Sequence, residues 1–140
     1  MQTFGKIGVA GCGRMGLPML RALQRAGFNA VGFDVRNVGV GQDVDAFADN
    51  LETLITVVRD TDETDAVLFD DQALIARAYN LRTVIISSTL SPRYVKDLRA
   101  HIPNHIALID APMSGAQVKA EAATLAFMLG GADTDLDAHM

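Results

Sequence analysis

The chain has 140 residues, the size of one ordinary domain, and is 49% hydrophobic and 21% charged, a composition that builds a core and excludes a disordered chain. A net charge of −5 without any cluster of Lys and Arg argues against nucleic acid as a partner, since phosphate binding runs on cationic side chains. A lone Cys12 excludes an intrachain disulfide, and no run of eighteen apolar residues offers a membrane span.

The elements follow in chain order. Lys6–Gly11 is a short apolar run closed by glycine, which reads as a buried strand and not as a secretory leader, so the expected compartment is the cytoplasm. Met15, Met19, Leu20, Leu23 and Ala26 then form a stripe at helical spacing. Pro18 falls in the first turn or so, and Gly27 stands where a left-handed helix end calls for glycine. Ala30–Asp34 is a second strand.

From Asn37 to Thr53 there are seventeen residues, too few for a helix and a further strand before the next one. One short helix over Asp43 to Asn50 fits, with the third strand of the first half short or missing. Leu54–Arg59 reads as a strand and Glu63 to Tyr79 as a helix carrying Val67, Leu68, Leu74, Ile75 and Ala78. Thr83–Ser88 is a strand. Ser91 is placed as an N-cap with Pro92 at the first helical position, and that helix runs through Val95 and Leu98 towards Ile102, stopping before Pro103. Ile106–Asp110 and Leu125–Gly130 complete the strands, and Ala132 to Met140 starts a helix that has no stop signal. Solidly apolar strands alternating with helices predict right-handed βαβ units: a Rossmann-type, doubly wound α/β fold with a mainly parallel sheet and an abbreviated first half, in one domain over residues 1–140.

The first strand runs directly into Gly11-Cys12-Gly13-Arg14-Met15-Gly16 and then into a helix. In that context the three glycines have separate mechanical roles: Gly11 in the tight turn, Gly13 in close approach of a pyrophosphate, Gly16 in helix–strand packing. The helix start adds free N–H groups and a positive dipole end. Glycine is common, and the alternative is a plain strand-to-helix turn. Asp34 adds weight: it lies eighteen residues past Gly16, at the end of the second strand, placed to accept from the ribose hydroxyls of a dinucleotide. A carboxylate there repels a 2′-phosphate and favours NAD, while Arg36 offers NADP a partner or is merely a solvated surface arginine. Val35, between them, belongs to the same cofactor-binding segment.

Four stretches together carry a resemblance to a family. They are Gly11-Cys12-Gly13-Arg14-Met15-Gly16-Leu17-Pro18-Met19, Ser87-Ser88-Thr89-Leu90-Ser91-Pro92, Asp110-Ala111-Pro112-Met113-Ser114-Gly115, and Thr124-Leu125 through Gly130-Gly131. In this order they resemble the β-hydroxyacid dehydrogenases, which include 3-hydroxyisobutyrate, tartronate semialdehyde and 6-phosphogluconate dehydrogenases. The resemblance implies an NAD(P)-binding domain of an oxidoreductase that transfers a hydride between the cofactor and a small β-hydroxyacid. It places Thr89 near the nicotinamide, Val58 and Arg59 at the family's Leu-Pro beside the cofactor, and Ser114 and Gly115 against the substrate carboxylate. Read without it, Ser114 and Thr89 are turn or capping residues. The chain departs from the family pattern at Arg59, in the short stretch from Asn37 to Thr53, and after Gly115, where Ala116, Lys119 and Ala123 stand in place of glycines.

Oxidising a secondary alcohol also requires a base for the hydroxyl proton. The family's lysine for that role lies on a long helix after the nucleotide domain, and nothing here matches its motif, so no catalytic residue is assigned. Lys6, Lys96 and Lys119 read as surface lysines. His101 and His105 have i,i+4 metal spacing, but Pro103 breaks the helix that spacing needs. Two readings stay open: the cofactor domain of a longer dehydrogenase whose helical half is absent, or a stand-alone, non-catalytic NAD(P)-binding module. An apolar patch of Leu125, Phe127, Met128 and Leu129 makes homo-oligomers an expectation.

Overall fold

The computed structural model describes residues 5–11, 16–34, 41, 43–58, 60–87 and 91–110. Within them the chain alternates β1 (Lys6–Ala10), α1 (Gly16–Arg25), β2 (Asn29–Phe33), α2 (Val44–Ala48), β3 (Leu51–Thr56), α3 (Thr61–Leu68), α4 (Leu74–Arg77), β4 (Thr83–Ile86), α5 (Pro92–His101) and β5 (Ala107–Asp110). The strands form one sheet in the order β2-β1-β3-β4-β5, every neighbouring pair parallel. This is the doubly wound α/β architecture expected from the apolar runs, and both faces of the sheet are covered.

One face takes α1, whose Met19, Leu20 and Leu23 are buried against Ile7, Val9, Ala30, Ile55 and Ile85. Phe47 of α2, Val67 and Leu68 of α3, Leu74 of α4 and Leu98 of α5 join Ala10, Leu54, Val84 and Ile86 in the other core cluster. Strand residues alternate between the two clusters, as a sheet buried on both sides requires. Gly8 in β1 makes room for the second layer: a Cβ there would lie 2.5 Å from Phe47 Cζ and 2.7 Å from Leu51 Cδ1. The short α2 thereby seats its ring on the sheet.

The abbreviated first half takes a definite form. Among the described residues beyond β2, a parallel bridge joins Phe33 and Gly41, with the Asp34 N–H donating to the Gly41 carbonyl at 3.3 Å. The chain then returns through α2, capped by the Asp43 carboxylate, to β3 on the far side of β1. A cavity of about 520 Å³ follows the outer edge of β2, between Leu17, Leu20 and Arg21 of α1 and Asp43 and Phe47 beyond it.

Local signals placed several boundaries well. The Ser91 hydroxyl accepts from the Tyr94 N–H at 3.1 Å, Pro92 opens α5, and Ile102 is its C-cap. Gly27, at φ +94°, ends the turn after α1. Three expectations are corrected. First, β3 runs from Leu51 to Thr56 and not from Leu54 to Arg59. Leu51 pairs with Lys6 and Thr53 with Ile7, so Glu52 is an extra residue at a bulge, its carbonyl taken by the Arg82 N–H. A polar Glu52-Thr53 pair hides a strand that pairing with β1 imposes. Second, the single helix over Glu63–Tyr79 is two helices, interrupted at Phe69 to Ala73, with Ala73 in a left-handed conformation at φ 48°. Val67 and Leu74 stand seven residues apart and both feed the same core, so the periodicity survives the break. Third, Ala26 is exposed and not part of the α1 stripe, because the helix has already ended at Arg25. The expected strand Leu125–Gly130 and the terminal helix lie outside the described residues.

Candidate functional site

The sheet order reverses direction at β1: the chain leaves it for β2 on one side, while β3 pairs on the other. In open α/β sheets the crevice at the carboxyl ends of strands, at such a reversal, is where ligands bind. Backbone hydrogen bonds carry the ladder one row past the strands at this end. The Gly11 N–H donates to Phe33 O at 2.9 Å, Val57 N–H to Ala10 O at 2.8 Å, and Ser87 N–H to Thr56 O at 3.0 Å. Gly11, Val57 and Ser87 therefore form a row past the ends of β1, β3 and β4, with Gly11 and Val57 against the start of α1.

The first and third glycines of the loop are explained by atoms in this row. Gly11 has φ +95°, and a Cβ on it would lie 2.5 Å from the Val57 carbonyl oxygen and 3.0 Å from Val58 Cγ1. Both conformation and space exclude a side chain. A Cβ on Gly16 would lie 1.8 Å from the Gly11 carbonyl oxygen and 3.5 Å from Val57 Cβ. The first residue of α1 thus rests on the end of β1, at a separation only two glycines allow. The first turn of α1 holds no acidic side chain, whereas α2 and α3 carry Asp45, Asp62 and Glu63 in theirs and are capped by Asp43 and Asp60. Among the described residues no carboxylate occupies that first turn, and a positive helix end suits an anion arriving at the crevice.

Asp34 directly follows β2, is only 4% exposed, and is tied by its main chain to Gly41. Val58 is half-buried, packs on the core and stands against Gly11. Of the residues expected at the site, Gly11, Gly16 and Val58 are brought together, and Asp34 closes the neighbouring strand. Cys12, Gly13, Arg14, Met15, Val35, Arg36, Arg59, Thr89, Ser114 and Gly115 lie outside the described residues. Two residues at this end carried no assigned role in the sequence. Val57 touches the places of both glycine Cβ atoms, a contact that depends on the register of β1 against β3. Ser87 is fully buried, and among the described residues its Oγ has no hydrogen-bond partner.

Several other polar groups among the described residues serve the fold. Lys6 donates from Nζ to Ala46 O at 2.9 Å and Asp49 O at 2.8 Å, capping the end of α2. His101 Nδ1 lies 3.0 Å from the Asp97 carbonyl and His105 is exposed, and among the described residues no three His, Cys, Asp or Glu side chains are grouped to hold a metal. Tyr94 donates to the Asp65 carboxylate at 2.5 Å, joining α5 to α3; burial, then that carboxylate, pushes its phenol well above the ordinary range. No helix among the described residues is long and apolar enough to cross a membrane.

The close packing of Gly11 and Gly16, the acid-free first turn of α1 and the buried Ser87 hydroxyl, unpartnered among the described residues, fit a dinucleotide lying across β1. Residues 6–140 match the family described as the NAD binding domain of 6-phosphogluconate dehydrogenase. L-threonate dehydrogenase from Pectobacterium atrosepticum is 29% identical over 139 residues, covering 91% of this chain and 46% of that protein. Mitochondrial 3-hydroxyisobutyrate dehydrogenase from Drosophila melanogaster is 35% identical over 144 residues, covering 94% and 44%. The structure of 3-hydroxyisobutyrate dehydrogenase from Mycobacterium tuberculosis with L-serine superposes at a TM-score of 0.69 and 26% identity, over 84% of this chain and 44% of that one. The chain spans less than half the length of these relatives.

Proposed function

The chain belongs to the family of the NAD-binding domain of 6-phosphogluconate dehydrogenase, and from that premise we propose that it is the nucleotide half of an oxidoreductase acting on a small β-hydroxyacid. The observation that carries the cofactor part is the fit of Gly16 onto the Gly11 carbonyl. It sets the N–H groups of α1 at the sheet reversal, where they meet a pyrophosphate. When bound, the nicotinamide supplies the hydride chemistry. The chain binds and orients: Gly11 to Gly16 hold the phosphates, and Asp34, with Val35 and Arg36 after it, holds the adenosine ribose. Val58 and Arg59 line the cofactor from the end of β3. Thr89 sits at the nicotinamide, and Ser114 with Gly115 hold the substrate carboxylate beside it.

The substrate class rests on two relatives named for L-threonate and 3-hydroxyisobutyrate, both small hydroxyacids. No lysine among the described residues is set to act as the base: Lys6 is engaged in capping α2 and Lys96 is exposed on α5. In this reading the proton acceptor comes from sequence of the kind that fills the other half of the relatives.

Titration of the chain into NADH and then NADPH, followed by reduced-nicotinamide fluorescence, tests the cofactor part; the chain has no tryptophan to obscure the signal. Saturable NADH binding, weaker for NADPH and lost in Gly13→Val, is the expected outcome. Tighter binding of NADPH would overturn the role given to Asp34 and transfer selection to Arg36. Absence of binding to both would refute the cofactor-domain reading for this chain.

A further inference from the structure

Ser87 has a feature that neither packing nor capping uses. Its amide completes the β3–β4 ladder, so its backbone is held as firmly as a strand residue. Ile85 belongs to the α1-side core cluster and Ile86 to the opposite one, and alternation returns the Ser87 side chain to the α1 side, where Val57 faces Gly16. There its hydroxyl is buried with no partner among the described residues. A buried hydroxyl without a partner is a net cost to the free fold, and a state that supplies one is favoured by the same amount. A dinucleotide spanning the sheet reversal puts one mononucleotide over β2 and Asp34 and the other over β3 and β4. Ser87 directly follows β4, on the side of β1 away from Asp34.

We propose that Ser87 is a positioning residue for the nicotinamide half of the cofactor, its hydroxyl gaining a hydrogen bond only when that half is seated. The inference rests on the cofactor reading above and assigns Ser87 a role that the family resemblance gives to Thr89 alone. It predicts a separation of effects. Losing this hydroxyl costs nothing in the free chain, because no bond is broken there, and costs affinity only for ligands that carry the nicotinamide.

The test compares the intact chain with Ser87→Ala and Ser87→Cys, the second keeping one heavy atom beyond Cβ but only a weak hydrogen-bonding group. Three quantities are measured: the melting temperature without ligand, the Kd for NADH by fluorescence, and the Kd for ADP-ribose by calorimetry. Both variants should match or exceed the unsubstituted chain in melting temperature. Both should weaken NADH roughly three- to tenfold, the worth of one hydrogen bond, and leave ADP-ribose unchanged. A drop in free-chain melting temperature in both variants, with NADH affinity unmoved, would mean that the hydroxyl is structural and would overturn the proposal. So would equal weakening of NADH and ADP-ribose, or no change in any of the three. If the unsubstituted chain binds neither ligand, the cofactor reading fails and the role of Ser87 falls with it; if it binds both and the variants do not differ from it, only the role of Ser87 fails.

Discussion

Replacing Gly16 by alanine adds one carbon where the structure has none to spare. The new Cβ would sit 1.8 Å from the Gly11 carbonyl oxygen, against about 3 Å as the shortest separation real side chains show. To accept it, α1 must lift from the end of β1 by more than an ångström. Gly11 cannot yield in turn, since its own position is fixed against the Val57 carbonyl and by the bond from its N–H to Phe33 O. Lifting the helix loosens Met19, Leu20 and Leu23 from Ile7, Val9 and Ile55. Overpacking of this kind costs about 1–3 kcal/mol, and a clash between two backbones falls at the upper end. At roughly 4 °C per kcal/mol for a chain of this size, the melting temperature should fall by about 12 °C.

Gly27→Ala supplies the reference. Gly27 also has a positive φ, +94°, yet a Cβ there would meet nothing within 4 Å. Its cost is conformational alone, about 1–2 kcal/mol, or roughly 4–8 °C. Thermal unfolding by circular dichroism measures both, and NADH titration below each melting temperature measures the site. Gly16→Ala should lose NADH binding, because the displaced N–H groups no longer face the crevice, while Gly27→Ala should keep it. If Gly16→Ala bound NADH like the unsubstituted chain, the reasoning that makes this contact the seat of the site would be refuted.

Asp34→Ser should bring NADPH affinity up to or beyond NADH affinity, by removing the carboxylate that repels a 2′-phosphate; an unchanged preference in the fluorescence titration would show that Asp34 does not select. Tyr94→Phe should lower stability by about 1 kcal/mol in urea unfolding at neutral pH, through loss of the bond to Asp65. The pH dependence has a definite sign. The folded phenol titrates above its ordinary value of 10.0, so its contribution is complete below pH 10 and is lost as pH rises towards the higher folded value. The gap between the unsubstituted chain and Tyr94→Phe should therefore be constant from pH 7 to 9.5 and narrow above pH 10. A gap that widens with alkali would contradict this assignment.

What could be read along the chain was whatever neighbours in sequence decide. The spacing of Gly11, Gly13 and Gly16 between a strand and a helix is a local pattern, and so are Ser91-Pro92 at a helix start and Gly27 at a helix end. The solid apolar runs of β1 and β4 announce strands covered on both faces, and their alternation with helices announces a parallel sheet. The seventeen residues from Asn37 to Thr53 were too short for a full first half by length alone.

Tertiary structure decided what depends on partners distant in the chain. The bulge at Glu52 that begins β3 early arises from pairing with β1, and no pattern in Leu51-Glu52-Thr53 shows it. Gly8 is one more small residue in an apolar run until Phe47 arrives from far along the chain to lie on it. The break between α3 and α4 is invisible to periodicity because both pieces serve the same core. At the site, glycine spacing predicted a turn and a close approach. Only the register of β1 against β3 determined that Val57 is what both glycines approach, and only the pairing of β3 with β4 put Ser87 in the same row, its buried hydroxyl without a partner among the described residues. The physical reason is common to all of these. Turn and cap chemistry is set by backbone geometry within a few residues, whereas close contacts and orphaned polar groups exist only once separate strands are brought side by side.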